Sequence, residues 1–196
     1  QDKNGYLYTF FMLKGGEPLS GTWAKHELFL MGDLIELGIV HGRMNKGKDT
    51  RLLDVAVKCA DFLCSKIKPG GVMVTAGHPG IEFALVELAE FIGEREGAGA
   101  VKKDLRLARY FVDWKGPTKG RQDKRSWDYA QDHRFFIEQS NAVGHTVRAN
   151  YFYTAAADVA RLMPSPGYEA ALDRIWESAA LLLVASILPV VLGKLA

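Results

Sequence analysis

Residues 23–44 (WAKHELFLMGDLIELGIVHGRM), followed after a short turn by residues 50–67 (TRLLDVAVKCADFLCSKI), decide the fold class of this 196-residue chain. In the first stretch apolar residues cover nearly every helical face, which is typical of a helix that is buried all round. In the second stretch apolar residues recur at helical spacing and charged residues occupy the opposite face, which is typical of a surface helix. Together the two stretches predict a hairpin of one buried and one half-exposed helix.

The same alternation occurs twice more along the chain. Residues 79–92 and 135–163 are predominantly apolar and predict the third and fifth helices, while residues 101–114 and the stretch that begins at Ser165 are amphipathic. Three hairpins in series predict an inner layer of odd-numbered helices and an outer layer of even-numbered ones. The expected fold is therefore all-α, with helical hairpins that form about half of an (α/α)6 toroid. A helical solenoid is the alternative, although solenoid repeats keep a tighter and more regular period.

Two segments lie outside these hairpins. Residues 6–12 (YLYTFFM) are aromatic and predict one extended segment that ends at Gly15 and Gly16. Residues 179–192 (AALLLVASILPVVL) are uncharged, but they fall short of the roughly 20 residues that a membrane-spanning helix needs. We therefore expect a partial (α/α)6 barrel domain over residues 1–178, an apolar C-terminal tail over residues 179–196, and no membrane partner.

The composition argues against several other classes of protein. With 48% hydrophobic and 24% charged residues the chain is ordinary for a globular domain. The net charge of +2 is too balanced to indicate a nucleic-acid partner, and aspartates dilute the basic loop of residues 115–132. The two cysteines, Cys59 and Cys64, are too few for a disulfide scaffold, and their spacing on an amphipathic helix predicts core thiols.

Three histidines stand at matching positions in the three hairpins. His26 lies in the first turn of the first helix, His78 just ahead of the third helix, and His145 within the fifth, 52 and 67 residues apart. Parallel inner helices would bring His26 and His78 to a common N-terminal mouth, and His145 joins them if the fifth helix begins its inward path further upstream. A polar cluster at the end of a buried layer predicts a pocket, and the donor and acceptor of a neutral imidazole suit sugar hydroxyls.

Glutamates accompany these histidines along the sequence. Glu27 and Glu82 are candidate substrate-binding residues, and with Glu138 they make acid/base chemistry a further option. The alternative is that each histidine only satisfies backbone groups at a helix end, but the recurrence in three successive hairpins favours the pocket. His41 is interpreted as a helix C-terminal residue, where a cation meets the dipole favourably. For His133 a pocket role and a loop role both stay open.

The order of several short strings resembles a known family. These strings are Asn4–Thr9 (NGYLYT), His26–Leu28 with Leu34–Glu36, Arg51–Ala56 (RLLDVA), Gly77–Pro79 with Ile81 and Glu82, Tyr129–Gln131, and Glu138 and Gln139 through Ala142–Ala149 (AVGHTVRA). Over about residues 4–178 the chain resembles glycoside hydrolase family 127, the β-L-arabinofuranosidases. The resemblance implies an (α/α)6 barrel with β-sandwich parts and retaining hydrolysis of non-reducing-end β-L-arabinofuranosides.

The resemblance also implies a catalytic apparatus. In the family a zinc-bound cysteine thiolate is the nucleophile, a glutamate is the general acid/base, and histidines that correspond to His26, His78 and His145 hold the sugar. Zinc keeps the sulfur deprotonated at neutral pH, and the carboxylic acid protonates the leaving oxygen. The family's zinc cysteines and catalytic glutamate lie downstream of the helix that matches residues 175–177, and neither cysteine of this chain occupies a zinc-ligand motif. We therefore expect no catalytic residue and no zinc ligand in this chain.

The leading hypothesis is a truncated member of this hydrolase family that binds an L-arabinofuranoside-type glycan and is inactive by itself. Two alternatives stay open: a non-enzymatic half-toroid that binds carbohydrate or protein, and a different α/α-toroid sugar enzyme such as an epimerase. An open half-ring would also expose the flanks of the first and fifth helices, which predicts self-association. The compartment stays open.

Overall fold

The computed structural model describes residues 1–68, 70–97, 102–117 and 127–192, and within these ranges it is all-helical. The α-helices are α1 (Thr9–Lys14), α2 (Glu27–Met44), α3 (Arg51–Lys66), α4 (Ile81–Glu96), α5 (Lys102–Trp114), α6 (Thr146–Leu162) and α7 (Pro166–Leu192), with short 3-10 helices at Trp127–Ala130 and Phe136–Glu138. In the described ranges β pairing is limited to one isolated bridge between Ile67 and Val72. The prediction of an all-α fold is confirmed.

The helices form two layers, as the alternation of buried and amphipathic stretches predicts. The inner row is α2, α4 and α6, in which α4 packs against both of the others. The outer helices α3, α5 and α7 each pack against the inner helix that precedes them. This arrangement is half of an α/α toroid built from three hairpins.

Close helix contacts explain why α2 and α3 form a hairpin. A Cβ atom added at Gly38 of α2 would lie 2.4 Å from the Cβ of Ala56 of α3, so the two backbones approach as closely as small residues allow. On α3 the apolar stripe of Leu53, Ala56, Ala60 and Leu63 is buried, while charged residues on the opposite face are exposed. The prediction of a surface helix over residues 50–67 is therefore confirmed.

The aromatic N-terminal segment differs from its prediction. Residues 9–14 form helix α1 instead of continuing an extended segment, and the helix ends at Gly15, whose φ is +76°. Strand propensity depends on a partner strand and a packed face. The described residues provide no partner strand for this segment, so a helix satisfies its backbone hydrogen bonds internally.

The predicted fifth helix is interrupted. In place of one helix over residues 135–163, a 3-10 turn at Phe136–Glu138 and an irregular segment precede α6, which begins at Thr146. Gly144 has a φ of +82°, and a Cβ there would overlap the carbonyl oxygen of Asp128. This tertiary contact breaks the helix and places His145 directly ahead of α6.

Helix α2 is also less buried than its composition predicts. Its outward face carries Leu30, Leu37, Val40 and Met44, which are between 48% and 79% exposed. In a half-ring the first inner helix has a neighbour on one side only, so this face has no partner among the described residues. Trp176 on α7 is likewise 74% exposed, although sequence periodicity assigns it to the buried stripe.

Helix α7 begins at Pro166, directly after Ser165, where the predicted amphipathic stretch starts, and its backbone continues as a helix through the uncharged stretch to Leu192. No helix in the described part of the chain combines the length and the hydropathy that crossing a bilayer requires.

Candidate functional site

The inner helices begin at one end of the half-ring, and the three histidines of interest lie there. His26 directly precedes α2, His145 directly precedes α6, and His78 lies three residues ahead of α4. The rings of His26 and His78 are 5.8 Å apart in an edge-to-face arrangement. His145 is near enough for its charge to lower the pKa of His78. We call this cluster of three histidines the histidine mouth.

The other two histidines interact within their own segments. His41 lies in the last turn of α2, with its Nε2 3.8 Å from a carboxylate oxygen of Asp49. His133 lies in the loop before α6, with its Nδ1 3.9 Å from a carboxylate oxygen of Asp128. These positions agree with the interpretation of His41 as a helix C-terminal residue and favour the loop role for His133.

Glu27 shapes the segment that carries His26. Its carboxylate is fully buried and accepts hydrogen bonds from the Tyr6 hydroxyl at 2.8 Å and from the backbone N–H groups of Leu19 and Gly21 at 2.7 and 2.9 Å. His26 itself has a φ of +55°, a left-handed conformation that is uncommon for a non-glycine residue. The hydrogen bonds to Glu27 hold the chain on both sides of this turn, so Glu27 acts on the site through His26.

Glu82 has a comparable place beneath His78. One carboxylate oxygen accepts the N–H of Gly80 at 2.9 Å, while the other is buried without a hydrogen-bond partner among the described residues. Burial raises the pKa of Glu82, and the nearby Lys115 cation acts in the opposite direction. Both Glu27 and Glu82 are fully buried, so neither carboxylate meets solvent in this structure.

Arg148 joins the three histidine segments and is the residue that sequence reasoning missed. Its guanidinium donates to the carbonyl of Gly77, which precedes His78, and lies 5.6 Å from the Trp23 ring, three residues before His26. It is also 4.8 Å from the ring of Tyr129, which contacts His145 at 5.4 Å. The sequence could have pointed to Arg148, because an arginine within a predominantly apolar inner helix needs a buried partner.

Aromatic rings surround His78 on its remaining sides. The ring of Phe29 lies 4.4 Å from that of His78, and the ring of Tyr151 lies 5.8 Å away. A cavity of about 200 Å³ borders Tyr151 and the neighbouring Asn150 and Thr154 of α6. Phe29 lies three residues after His26, about one helical turn, so helical spacing would have found it. Tyr151 lies six residues after His145, which is not a same-face spacing, and only the fold brings its ring to His78.

The electrostatics of the mouth favour a neutral His78. Burial lowers the pKa of His78, and the positive charges of Arg148, His26 and His145 lower it further, although the contact with the Pro79 carbonyl opposes them. The Nδ1 atom lies 2.8 Å from that carbonyl oxygen, which can only accept, so Nδ1 carries the proton. In this tautomer Nε2 is an acceptor for a ligand hydroxyl.

Several buried polar atoms at the mouth have no partner in the described part of the chain: His26 Nδ1, Glu82 Oε1 and Arg148 Nε. Nearly all buried polar groups in native proteins are hydrogen-bonded, and exceptions call for an explanation. The same property occurs elsewhere in the described chain, for example at His41 Nδ1 and Asp104 Oδ2, so it is not confined to the mouth.

The cysteines do not fit the zinc-thiolate chemistry that the sequence resemblance implies. Burial raises the pKa of Cys59 to about 12, and burial together with the Asp104 carboxylate does the same for Cys64. Both are free thiols on α3: Cys59 is buried in the hydrophobic core and Cys64 packs against it, and without a metal both are protonated at neutral pH. Within the described ranges, no three His, Cys, Asp or Glu side chains are grouped closely enough to hold a metal ion.

Comparisons with known proteins agree with this architecture. The family model described as "Beta-L-arabinofuranosidase, GH127 catalytic domain" matches residues 1–180. The curated protein "Non-reducing end beta-L-arabinofuranosidase" of Bifidobacterium longum subsp. longum is 29% identical in an alignment 206 positions long, which covers 91% of this chain and 29% of that protein.

Solved structures show the same relationship. A GH127 β-L-arabinofuranosidase from Geobacillus stearothermophilus T6 is 30% identical with a TM-score of 0.79, over 91% of this chain and 29% of that one. A second GH127 β-arabinofuranosidase is 34% identical with a TM-score of 0.74, over 91% of this chain and 28% of that one. This chain therefore spans less than a third of the length of these relatives.

Proposed function

This chain belongs to glycoside hydrolase family 127, and on that basis we propose that its histidine mouth binds the sugar of a non-reducing-end β-L-arabinofuranoside. The relative from Bifidobacterium longum is named for action on that class of substrate. The observation that carries the proposal is the convergence of His26, His78 and His145 from three separate hairpins. Cleavage of the glycoside is proposed for an enzyme of the relatives' full length, and sugar binding for this chain.

The chemistry of the mouth suits a neutral polyol. A neutral His78 with Nδ1–H directed at the Pro79 carbonyl presents Nε2 as an acceptor for a sugar hydroxyl. The faces of Phe29 and Tyr151 offer apolar surface beside it for the C–H groups of a sugar ring. Arg148 keeps the segments of the three histidines in register. Such a pocket combines a few polar groups with aromatic walls, as small-molecule sites commonly do.

We expect the 196-residue chain to have no hydrolytic activity by itself. Its thiols are protonated at neutral pH in the absence of a metal, and the carboxylates of Glu27 and Glu82 are fully buried. The test is release of p-nitrophenol from p-nitrophenyl L-arabinofuranosides with and without added zinc. Zinc-dependent release by the purified chain would contradict the expectation.

Sugar binding is tested by titrating methyl β-L-arabinofuranoside into the chain and following the histidine ring signals by NMR. Loss of one neutral hydrogen bond costs about 1 kcal/mol, so each of His26→Ala, His78→Ala and His145→Ala should weaken binding about 5- to 10-fold. His41→Ala is the matched control, because His41 lies at the far end of α2 and should leave binding unchanged.

The same titration separates a sugar pocket at the histidine mouth from a helical scaffold that binds through another surface. If all three substitutions weaken binding and the control does not, the histidines share one sugar pocket. If the chain binds the glycoside and the three variants bind it equally well, the proposed pocket is wrong and a helical scaffold that binds through another surface is the better description.

A further inference from the structure

His78 lies in the middle of a short segment that buried charged side chains hold at both ends. Lys115, the residue that follows α5, donates from Nζ to the carbonyl of Ala76 at 2.9 Å. Glu82, in the first turn of α4, accepts the N–H of Gly80 at 2.9 Å. His78 is two residues from each of these anchored positions. Its backbone is therefore tied both before and after the ring.

The two anchoring side chains are fully buried, which is rare for a lysine and a glutamate. The Lys115 ammonium lies 5.6 Å from the centre of the Phe152 ring, so it is enclosed between the outer layer and helix α6. Burial raises the pKa of Glu82 while the charge of Lys115 lowers it, so the two groups lie near enough to interact. A buried charge is tolerated where it is hydrogen-bonded and compensated. A shift of the His78 segment would deprive both charged groups of a hydrogen bond.

Contacts with the α2 side of the molecule limit the segment further. The N–H of Gly77 donates to the carbonyl of Thr22 at 3.1 Å. A Cβ atom at Gly80 would lie 2.8 Å from the ring of Phe29, and that ring is 4.4 Å from the ring of His78. A small displacement of the segment would therefore change the contact between the two rings, which makes this contact a measure of the position of His78.

We propose that Lys115 and Glu82 are positioning residues for His78, which together fix the segment from Ala76 to Gly80 and thereby the place of the His78 ring in the histidine mouth. Glu82 then acts through the segment, in place of the direct sugar contact that the sequence predicts for it. The inference rests on the proposed function in one respect only, namely that the His78 ring contacts a sugar.

The position of the ring is measured without sugar, by the nuclear Overhauser effect between the ring protons of His78 and Phe29. Lys115→Met keeps the length of the side chain but removes the donor and the charge, so this variant should lose most of the effect. Lys103→Met is the matched control on α5, because the Lys103 side chain is 43% exposed and pairs with Asp61. The control should keep the effect unchanged.

Sugar affinity shows whether Lys115 acts through His78. Lys115→Met should weaken the binding of methyl β-L-arabinofuranoside about 5-fold, as expected when one neutral hydrogen bond is lost. In a His78→Ala background the same substitution should weaken binding no further, because the effects of residues that act through one another are not additive. A residue with a structural role alone would have the same effect in both backgrounds.

Glu82 is tested by a pair of substitutions. Glu82→Gln keeps an oxygen that can accept the N–H of Gly80 and should keep the contact between His78 and Phe29, whereas Glu82→Leu removes the acceptor and should lose that contact. Circular dichroism checks that each variant keeps its helices. If Lys115→Met does not fold because the Glu82 carboxylate is left uncompensated, Lys115→Met combined with Glu82→Gln replaces it, with the same expected results.

An unchanged ring contact in Lys115→Met overturns the proposal, as does an additive loss of affinity in the His78→Ala background. Loss of sugar binding in Glu82→Gln with the ring contact intact would show that Glu82 contacts the sugar directly, and would refute its positioning role. If the unsubstituted chain binds no sugar but the ring contact responds as expected, the proposed function is wrong and the positioning of His78 is supported.

Discussion

Arg148 shows how a single side chain organises the histidine mouth. It is only 9% exposed, and its charge is accommodated by the Gly77 carbonyl and by the rings of Trp23 and Tyr129. Each of these groups belongs to, or contacts, a different histidine segment. Because a buried cation must keep its partners, Arg148 holds the three segments in place relative to one another.

Substitution of Arg148 should alter both the geometry and the titration of the site. Burial is the main reason for the low pKa of His78, and the Arg148 charge adds to it. Arg148→Met should therefore raise the pKa of His78 and weaken sugar binding about 10-fold, whereas Arg148→Lys should keep the pKa of His78 low. An NMR pH titration of the His78 ring measures the first effect. An unchanged pKa in the Met variant would show that Arg148 and His78 are not electrostatically coupled.

Asp104 is a buried carboxyl outside the site. One of its oxygens has no hydrogen-bond partner among the described residues, and the other lies 3.6 Å from the Cys64 thiol. Burial raises the pKa of Asp104 to about 6, with the charge of Lys103 opposing the shift and that of Asp61 adding to it. The fold therefore favours the protonated acid.

This raised pKa has a consequence for stability. Because the folded-state pKa lies above the ordinary value, the contribution of Asp104 is fully present below about pH 4 and is lost as the pH rises through 6. Relative to an Asp104→Asn variant, the wild-type free energy of unfolding should fall by about 2 kcal/mol between pH 4 and pH 7. Urea denaturation at several pH values measures the difference. Asp173→Asn, at an exposed position, is the control, and its free energy of unfolding should vary with pH as that of the wild type does. If wild type and Asp104→Asn differ in free energy of unfolding by the same amount at every pH, the prediction is wrong.

At the scale of elements, two glycines of α2 determine how closely α3 and α4 approach this helix. Gly38 faces α3 next to Ala56, and Gly32 faces the start of α4, where a Cβ would lie 3.1 Å from the backbone nitrogen of Ile81. These contacts lie on the side of α2 opposite to its exposed apolar face of Leu30, Leu37, Val40 and Met44. The helix is therefore divided into a small-residue side that packs and a large-residue side that stays exposed.

Gly38→Ala should destabilise the hairpin despite the better helix propensity of alanine. The added methyl group overlaps Ala56, and overpacking costs about 1–3 kcal/mol, against about 1 kcal/mol gained from propensity. We expect a net loss of about 1 kcal/mol by urea denaturation. Gly167→Ala near the start of α7 is the control, because its nearest neighbour would be 3.5 Å away and stability should be equal or higher. Equal effects at the two positions would argue against close packing of α2 on α3.

At the scale of the whole molecule, one hydrophobic core extends across the three hairpins. Helix α7 contributes Tyr168, Ala171 and Ile175 to this core, all within its first three turns. The buried side chains described for α7 therefore precede the uncharged stretch that continues to Leu192. The division into a helical domain over residues 1–178 and a C-terminal tail stays a prediction, and it can be tested by truncation.

A chain of residues 1–182 should unfold with the same free energy, to within about 0.5 kcal/mol, as the full 196 residues. The reason is that the α7 side chains assigned to the core are retained. A chain of residues 1–170 removes Ala171 and Ile175 and should lose at least about 2 kcal/mol, which makes it the control. Urea denaturation followed by far-UV circular dichroism measures both. A loss of stability in the 1–182 chain comparable to that of the control would show that the tail belongs to the core.

Periodicity predicted most of the fold because helix burial is encoded locally. The stretches over residues 50–67 and 101–114 became α3 and α5 almost unchanged. The breaks were not predictable in this way: the predicted fifth helix is interrupted near Gly144, where a Cβ would overlap the carbonyl oxygen of Asp128, a residue that is close in space but 16 residues earlier in the chain. That contact also moved His145 to the start of α6.

The spacing of hydrophobic residues and of the three histidines was sufficient to predict the layered hairpins and a common mouth, because every inner helix repeats the same short-range pattern. Packing across the hairpins alone decided which face of α2 stays exposed, that Glu27 supports a turn, and that Arg148 joins the three segments. Such outcomes depend on contacts between residues far apart along the chain, whose energies no local pattern contains.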